Sequence, residues 1–192
     1  MEALKTNFTV DAKGLACPMP IVRTKKAINE LNPGEVLEVL ATDKGSKADI
    51  QAWAKSSGHQ YLGTLEEEDV LKHYIRRASE NEEREAVKFE TIASNEELQK
   101  ELETNSEIAV LDVREPAEYA FGHIPNAVSI PFSELEERMS ELNIDKKIYV
   151  VCRTGSRSDM ASQILTEQGF LNVINVVPGM SEWNGPIETK VN

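Results

Sequence analysis

Two cysteines, Cys17 and Cys152, are the residues of this sequence best suited to covalent chemistry, because a deprotonated thiol is a strong nucleophile. Each stands just before a stretch with helical character, and Cys152 also follows the apolar run IYVV. The first turn of a helix presents unpaired N–H groups and the positive end of the helix dipole, which together stabilise an anion. Both positions therefore predict a reactive sulfur atom.

The first cysteine stands between two prolines in the stretch LACPMPIV. Proline in the first turn of a helix removes only N–H groups that have no partner there. We therefore predict a helix from Pro18 to Leu31, with Cys17 at its N-cap and a lowered thiol pKa. Lys13 is expected to add positive potential. A small, buried, unreactive cysteine at a helix start is the alternative.

The second cysteine is followed by a turn rich in glycine and serine, and then by a helical pattern. Such a loop can curl its N–H groups around the sulfur, because glycine allows backbone conformations that other residues avoid. The predicted substrate-binding residues are Arg153, Thr154, Gly155, Ser156 and Arg157. The two arginines would attract an anionic substrate. The alternatives are a buried cysteine at a strand end and solvated surface arginines.

Cysteine phosphatases also use a strand, a loop and a helix around a thiolate, with an arginine after five intervening residues. Here Arg157 follows Cys152 after four, and position 158 is serine. A smaller ring suits a sulfur atom better than a phosphoryl group, so phosphatase is the weaker interpretation.

The composition restricts the class of protein. The chain has 192 residues with a formal net charge of −12, 40% hydrophobic residues, two cysteines and three scattered histidines. Neither a disulfide framework nor a four-ligand zinc pattern is present, and a single disulfide between Cys17 and Cys152 is kept as an alternative. No metal or organic cofactor is implied. Neither a signal peptide nor an apolar stretch of about 20 residues is visible, so we expect no membrane association and a cytoplasmic location.

The charge is unevenly distributed along the chain. Residues 79–192 hold 22 acidic residues and 10 Lys or Arg, whereas residues 1–78 are neutral overall. An acidic second half argues against a nucleic-acid ligand, because phosphate would be repelled. Residues 79–88, at the start of the acidic half, are charged and predict a linker that joins a domain over residues 1–78 to one over residues 89–192. A helical extension is the alternative for that stretch.

The predicted fold class is α/β, with an α+β first domain. The first half has the order β-α-β-α-β-β, which suits a two-layer sandwich with both helices on one face of a mixed sheet. The second half alternates apolar strands with helices, which indicates a parallel sheet. The spacings Ser46–Asp49, Ser94–Glu97 and Ser133–Glu136 predict helix starts with a serine cap.

Residues 8 to about 77 resemble the TusA (SirA-like) sulfur-carrier family. Asp11 and Gly14 precede the Cys-Pro-x-Pro motif, and a GE.LEV.ATD strand and a helix ending near GH follow it. The resemblance implies that Cys17 carries sulfur as a persulfide and passes it to a partner. Asp11 and Asp43 are interpreted as capping residues of turns and helices.

Residues 88 to about 185 resemble a single-domain rhodanese (thiosulfate sulfurtransferase-like). The matching stretches are VLDVREPAEYAFGHIPNAVSIP, CRTGSRS and VVPGMSEW, although the last has PGM where many relatives have a glycine pair. The resemblance implies that Cys152 takes up sulfane sulfur, held by the loop amides, and releases it to an acceptor.

Together these patterns predict a sulfurtransferase and sulfur carrier with two catalytic cysteines, Cys152 and Cys17. Its expected partners are a small sulfur donor, either thiosulfate or a low-molecular-weight persulfide, and a thiol or protein acceptor. Two alternatives remain: a non-enzymatic redox or sulfide sensor, and a sulfur-delivery adaptor with an idle second domain.

Overall fold

A computed structural model describes residues 4–78, 88–105 and 107–191 of the chain. Residues 4–78 form the body of one compact unit and residues 88–105 and 107–190 that of a second. The predicted linker over residues 79–88 and its helical alternative thus fall, except for Lys88, outside the described residues, and both stay predictions.

The first unit is a four-stranded sheet with two helices. Its elements are β1 (Phe8–Ala12), α1 (Met19–Ile28), β2 (Val36–Ala41), α2 (Ser46–Ser56), β3 (Gln60–Glu67) and β4 (Val70–Arg76). The strand order is β1-β2-β4-β3, with β1 parallel to β2 and the other pairs antiparallel. The predicted element order and mixed sheet are confirmed.

The alternation of apolar residues along β1 and β2 produces one buried face of this sheet. Val10, Ala12, Leu37 and Val39 point into a core that the two helices cover. Both helices pack against the sheet and against each other, so they lie on one face as the sequence predicts.

The helix starts differ from the prediction. Helix α2 begins at Ser46 with Gly45 at the N-cap, and no side chain caps it. Ser46 is one residue inside the helix and buried, so its hydroxyl faces the core instead of the helix end. The prediction that Ser46 caps α2 was wrong, because a buried hydroxyl needs a partner and finds it in the core.

That partner is His73, which lies on β4 and is completely buried. Ser46 Oγ lies 2.9 Å from His73 Nε2, and Thr64 Oγ1 lies 2.8 Å from His73 Nδ1. Tyr61 extends the network through its hydroxyl, which contacts Thr64 and lies 3.3 Å from Nδ1. Burial, followed by the charge of Lys47, lowers the pKa of His73 from 6.5 to about 4.

We therefore expect the first unit to lose stability as the pH falls from about 6.5 to about 4. The unfolded chain binds a proton at His73 in this range and the folded chain does not, so the free energy of unfolding should fall by about 2–3 kcal/mol. Urea denaturation of a Trp183→Phe chain, in which Trp53 is the remaining tryptophan, reports on this unit. His73→Gln in the same background should show a flatter pH dependence. Equal pH dependence in both chains would contradict the prediction.

The second unit is a parallel sheet covered by helices. Its elements are β5 (Ile92–Ala93), α3 (Asn95–Thr104), β6 (Ile108–Asp112), α4 (Pro116–Phe121), β7 (Val128–Ser129), α5 (Leu135–Arg138), β8 (Lys147–Val151), α6 (Ser156–Glu167) and β9 (Val173–Val176). Short 3-10 turns lie at Phe132–Glu134, Met139–Glu141 and Met180–Glu182. The order β5-β9-β8-β6-β7 places the most buried strand, β8, in the middle. All pairs are parallel, which confirms the predicted sheet.

One of the two serine caps predicted here is confirmed. Ser94 Oγ accepts the N–H of Glu97 while the Glu97 carboxylate accepts the N–H of Ser94, so α3 begins with a complete capping box. Ser133 instead lies inside a 3-10 turn, and α5 starts at Leu135 without a side-chain cap. That prediction was wrong, because Pro131 starts the tighter turn before a regular helix can form.

Among the helices of the described residues, none is both long and apolar enough to cross a membrane.

Candidate active site

Cys152 follows β8 at the carboxyl edge of the parallel sheet of the second unit. Its surface is 1% exposed, and the residue belongs to the core that β6, β8 and α6 share. Gly155 ends the loop in the left-handed conformation, with φ of 100°, and forms the N-cap of α6. This conformation, which favours glycine, turns the chain back over the sulfur.

Two hydrogen-bond donors face the sulfur of Cys152. The N–H of Gly155 lies 3.1 Å from Sγ, and the hydroxyl of Ser158 lies 3.3 Å from it. Ser158 is fully buried in the first turn of α6, and its Oγ also lies 3.1 Å from the carbonyl of Gly155. A backbone donor, a hydroxyl donor and a helix N-terminus together stabilise negative charge on the sulfur.

The other predicted residues belong to the loop after Cys152 or to the first turn of α6. Arg153 and Thr154 are half-buried, and Ser156 is the first residue of α6. The carbonyl of Gly155 accepts a bond from the Asn175 side chain on β9 at 3.3 Å, which fixes the loop to the neighbouring strand. The structure thus brings Cys152 and all five predicted loop residues into one turn.

A second loop braces the first. The N–H groups of Met180 and Ser181 donate to the carbonyls of Cys152 and Arg153 at 2.8 and 2.9 Å. Gly179 has a φ of 84° and its carbonyl accepts a bond from the buried Asn95 side chain at 3.0 Å. A Cβ at position 179 would lie 2.6 Å from the carbonyl oxygen of Cys152, closer than such atoms approach.

Gly179→Ala should therefore both destabilise the second unit and disturb Cys152. Strain at a positive φ and a backbone clash predict a loss of about 2–4 kcal/mol in the free energy of unfolding, with a fall in sulfur transfer. Gly169→Ala is the matched control, since Gly169 also has a positive φ of 94° but a Cβ there meets only Ile144 at 3.9 Å. Urea denaturation and a turnover assay of both variants check this. Equal effects of the two substitutions would contradict it.

Arg157, in the first turn of α6, forms an ion pair with Glu118 of α4. Its two terminal nitrogens lie 2.9 and 3.2 Å from the two carboxylate oxygens. The Glu118 side chain has no exposed surface and also accepts the N–H of Glu115, whereas the Arg157 side chain is 16% exposed. The arginine predicted as a donor-binding group is therefore held by a buried carboxylate.

A second buried ion pair lies nearby. Arg114 donates to both carboxylate oxygens of Asp112, at 2.6 to 3.1 Å, and to the carbonyl of Gly122. Burial lowers the pKa of Arg114, but the charge and hydrogen bonds of Asp112 outweigh it, and the pKa lies above its usual value. Arg114 also interacts with the charges of Glu118 and Arg157, so the four groups form one cluster.

Cys17 lies in the first unit, at the carboxyl edge of the parallel pair β1 and β2. It is exposed, and Pro18 occupies the N-cap of α1 while Pro20 lies within its first turn. The predicted positions were thus shifted by one residue, because the N–H of Met19 bonds the carbonyl of Ala16 and forms a turn before the helix.

The expected lowering of the Cys17 pKa was wrong. A hydrogen bond with Asp49, slight desolvation, and the charges of Asp49 and Asp43 raise the pKa of this thiol. Lys13, expected to add positive potential near Cys17, instead pairs with Asp11 at 3.4 Å. Asp11 and Asp43 each accept the N–H two residues further on, as expected for residues that cap turns.

Three residues of the Cys152 site were missed in the sequence: Glu118, Ser158 and Gly179. Only Ser158 left a local signal, a hydroxyl in the first turn of the helix after the loop. Within the described ranges, no group of three or more His, Cys, Asp or Glu side chains is placed to hold a metal ion. Both cysteines are free thiols, so the disulfide alternative is not formed in this structure.

Known proteins resemble both units. The family model described as "Sulfurtransferase TusA" matches residues 8–77, and the one described as "Rhodanese-like domain" matches residues 94–186. The "Putative sulfur carrier protein YrkF" of Bacillus subtilis (strain 168) is 49% identical over 185 residues, covering 96% of this chain and 100% of that protein. The "Putative sulfur carrier protein YrkI" of the same organism is 60% identical over 74 residues, covering 38% of this chain and 99% of that protein. A crystal structure of a rhodanese-related protein from Thermoplasma volcanium is 37% identical, with a TM-score of 0.47, over 51% of this chain and 97% of that chain.

Proposed function

Since this chain belongs to the sulfur carrier and sulfurtransferase family that joins a TusA domain to a rhodanese-like domain, we propose that it moves sulfane sulfur as persulfides on Cys152 and Cys17. The observation that carries the proposal is the pair of donors on Cys152 Sγ, at 3.1 and 3.3 Å from Gly155 and Ser158. Such donors favour the thiolate that must attack a donor sulfur.

The proposed first step is a displacement at sulfur. The thiolate of Cys152 attacks the terminal sulfur of a persulfide, R–S–SH, so that a new S–S bond forms at Sγ. The S–S bond of the donor breaks, and R–S⁻ leaves; with thiosulfate the leaving group is sulfite. The product is Cys152–S–SH from a protonated persulfide and its anion, Cys152–S–S⁻, from thiosulfate, and no separate oxidant or reductant is consumed. Arg153, Thr154, Gly155, Ser156 and Arg157 are the proposed donor-binding residues.

Cys17 is the proposed acceptor and carrier. Its thiolate would attack the outer sulfur of Cys152–S–SH, which forms Cys17–S–SH and restores the thiolate of Cys152. The raised pKa of Cys17 supports this order, because a thiol that stays protonated is a poor nucleophile toward a donor free in solution, whereas a tethered persulfide is presented at high effective concentration. Its exposure, with Met19 and Val22 exposed beside it, suits delivery to an acceptor protein.

The main alternative is a non-enzymatic sensor, in which modified thiols change a partner interaction. A delivery adaptor with an idle second unit is the other, and the intact loop around Cys152 argues against it. A cytoplasmic location is also a proposal, since free thiols persist in a reducing compartment.

Steady-state turnover distinguishes these functions. With a persulfide or thiosulfate donor and cyanide or a thiol as acceptor, the enzyme should form many equivalents of product per chain. A sensor or idle domain would release at most one equivalent and then stop, and that result would contradict the proposal.

A further inference from the structure

The charges around Cys152 compensate one another almost group for group. Arg157 is paired with the buried Glu118, and Arg114 with the buried Asp112. The loop and its first helical turn add Arg153 and the buried Asp159. Residues 152–159 together with Glu118 therefore hold two cations and two anions, and the nearby Arg114–Asp112 pair adds one of each, so the loop lacks the local positive charge that its arginines suggest.

The net negative charge of the second half of the chain also disfavours a highly charged anionic donor. Residues 79–192 carry 22 acidic residues against 10 Lys or Arg. A small dianion approaching this unit meets a negative field, and at the loop it meets an arginine whose charge is already neutralised. Thiosulfate carries two negative charges, whereas a persulfide R–S–SH carries at most one on its reacting sulfur atoms. The site therefore favours the donor with less charge.

We propose that Glu118 is a specificity-determining residue that neutralises Arg157, so that Cys152 takes sulfur from a persulfide in preference to thiosulfate. This rests on the proposed function of Cys152 as the sulfur-accepting thiol. Glu118 suits the role because helix α4 fixes it: its carboxylate accepts the N–H of Glu115 at 3.0 Å, and its side chain has no exposed surface. It acts through Arg157 as a positioning residue.

The test compares two donors on the full chain. The probes are thiosulfate and 2-hydroxyethyl persulfide, whose carbon body is uncharged, each with cyanide as the acceptor. Wild type should have the higher kcat/KM for the persulfide. In Glu118→Gln the ratio of the thiosulfate to the persulfide kcat/KM should rise about tenfold, mainly through a lower KM for thiosulfate. The reason is that no carboxylate then compensates the positive charge of Arg157, which can attract the dianion.

Two variants act as controls. Glu167→Gln removes the same charge from the exposed last residue of α6 and should leave the ratio as in wild type. Glu118→Asp keeps the carboxylate and should restore most of the wild-type ratio, which a purely structural defect would not do. A wild type that prefers thiosulfate, or a Glu118→Gln variant that changes both donors alike, overturns the inference.

Salt dependence gives a second measurement that does not depend on whether a variant folds. In wild type, added salt should raise kcat/KM for thiosulfate, since it screens repulsion of the dianion. A fall with salt would mean that the site attracts the dianion, and would overturn the inference. If neither donor places sulfur on Cys152, the proposed function itself fails, and the inference fails with it.

Discussion

Replacing Cys152 by serine should abolish sulfur transfer from either donor to cyanide or thiols. The sulfur of Cys152 is the atom that the N–H of Gly155 and the hydroxyl of Ser158 face, and a serine hydroxyl is not a nucleophile at neutral pH without a base. We expect kcat/KM to fall by about 1,000-fold or more, as for other losses of a catalytic nucleophile. The measurement is thiocyanate formation under steady-state conditions.

Cys17→Ser is the matched control for this loss. It removes the other thiol of the chain, which lies in the other unit and which cyanide does not require. Most of the transfer to cyanide should survive. Full activity in Cys152→Ser would contradict the assignment of the catalytic thiol, and loss of activity in both variants would mean that neither thiol acts alone.

The second large effect is expected in the kinetics of transfer from Cys152 to Cys17, which should not depend on protein concentration. The second unit begins beside its own site: the N–H groups of Lys88 and Phe89 donate to the carboxylate of Asp159, in the first turn of α6, at 2.8 Å each. The first described residues of the second unit, Lys88 and Phe89, therefore lie close to the Cys152 loop.

The first unit is attached differently. Its last strand ends at Arg76, which pairs with Val36 at the start of β2, whereas Cys17 lies at the edge where β2 ends. The length of β2 separates these edges, about 17 Å at 3.3 Å per residue. Ten residues, the number from 79 to 88, span at most about 33–36 Å, and we predict that a tether of this length lets the two thiols of one chain meet. Tethering would give an effective concentration in the millimolar range.

The test loads Cys152 with labelled sulfur, removes the donor and follows the label to Cys17 over a range of dilutions. A constant rate supports transfer within one chain. As a control, loaded Cys17→Ser chains mixed with Cys152→Ser chains can transfer only between chains, and their rate should fall on dilution. A wild-type rate that falls in proportion to concentration would contradict the prediction.

The fold followed from local patterns wherever burial and periodicity agreed. Alternation along Val36–Ala41 and the apolar run before Cys152 identified strands of both sheets, and Ser94 with Glu97 located the start of α3. Ser46 has the same three-residue spacing to an acidic residue, but its hydroxyl hydrogen-bonds His73 in the core and does not cap the helix. A helix start whose capping residue is buried cannot be predicted from spacing alone.

The site was predictable only where its residues are neighbours in the sequence. Cys152 and the loop up to Arg157 follow one another, and the turn at Gly155 requires a residue that tolerates positive φ. Glu118 lies on α4, 39 positions before Arg157 in the sequence. Its carboxylate compensates the charge of Arg157, which the sequence alone suggested would attract an anion. Likewise, Asp49, which lies on α2, raises the pKa of Cys17, whereas the sequence predicted a lowered pKa. Electrostatics at both thiols depends on tertiary contacts.

Intact-mass spectrometry with peptide mapping follows the proposed path of sulfur, as a persulfide on Cys152 and then on Cys17. Wild type, Cys152→Ser and Cys17→Ser are each incubated with 2-hydroxyethyl persulfide, freed of the donor and sampled over time. Wild type should gain the mass of one sulfur atom on Cys152 first and later on Cys17. Cys17→Ser should hold sulfur on Cys152 alone, and Cys152→Ser should gain almost none. Sulfur that reaches Cys17 as fast in Cys152→Ser as in wild type, or a wild type that gains no sulfur on either thiol, would contradict the account.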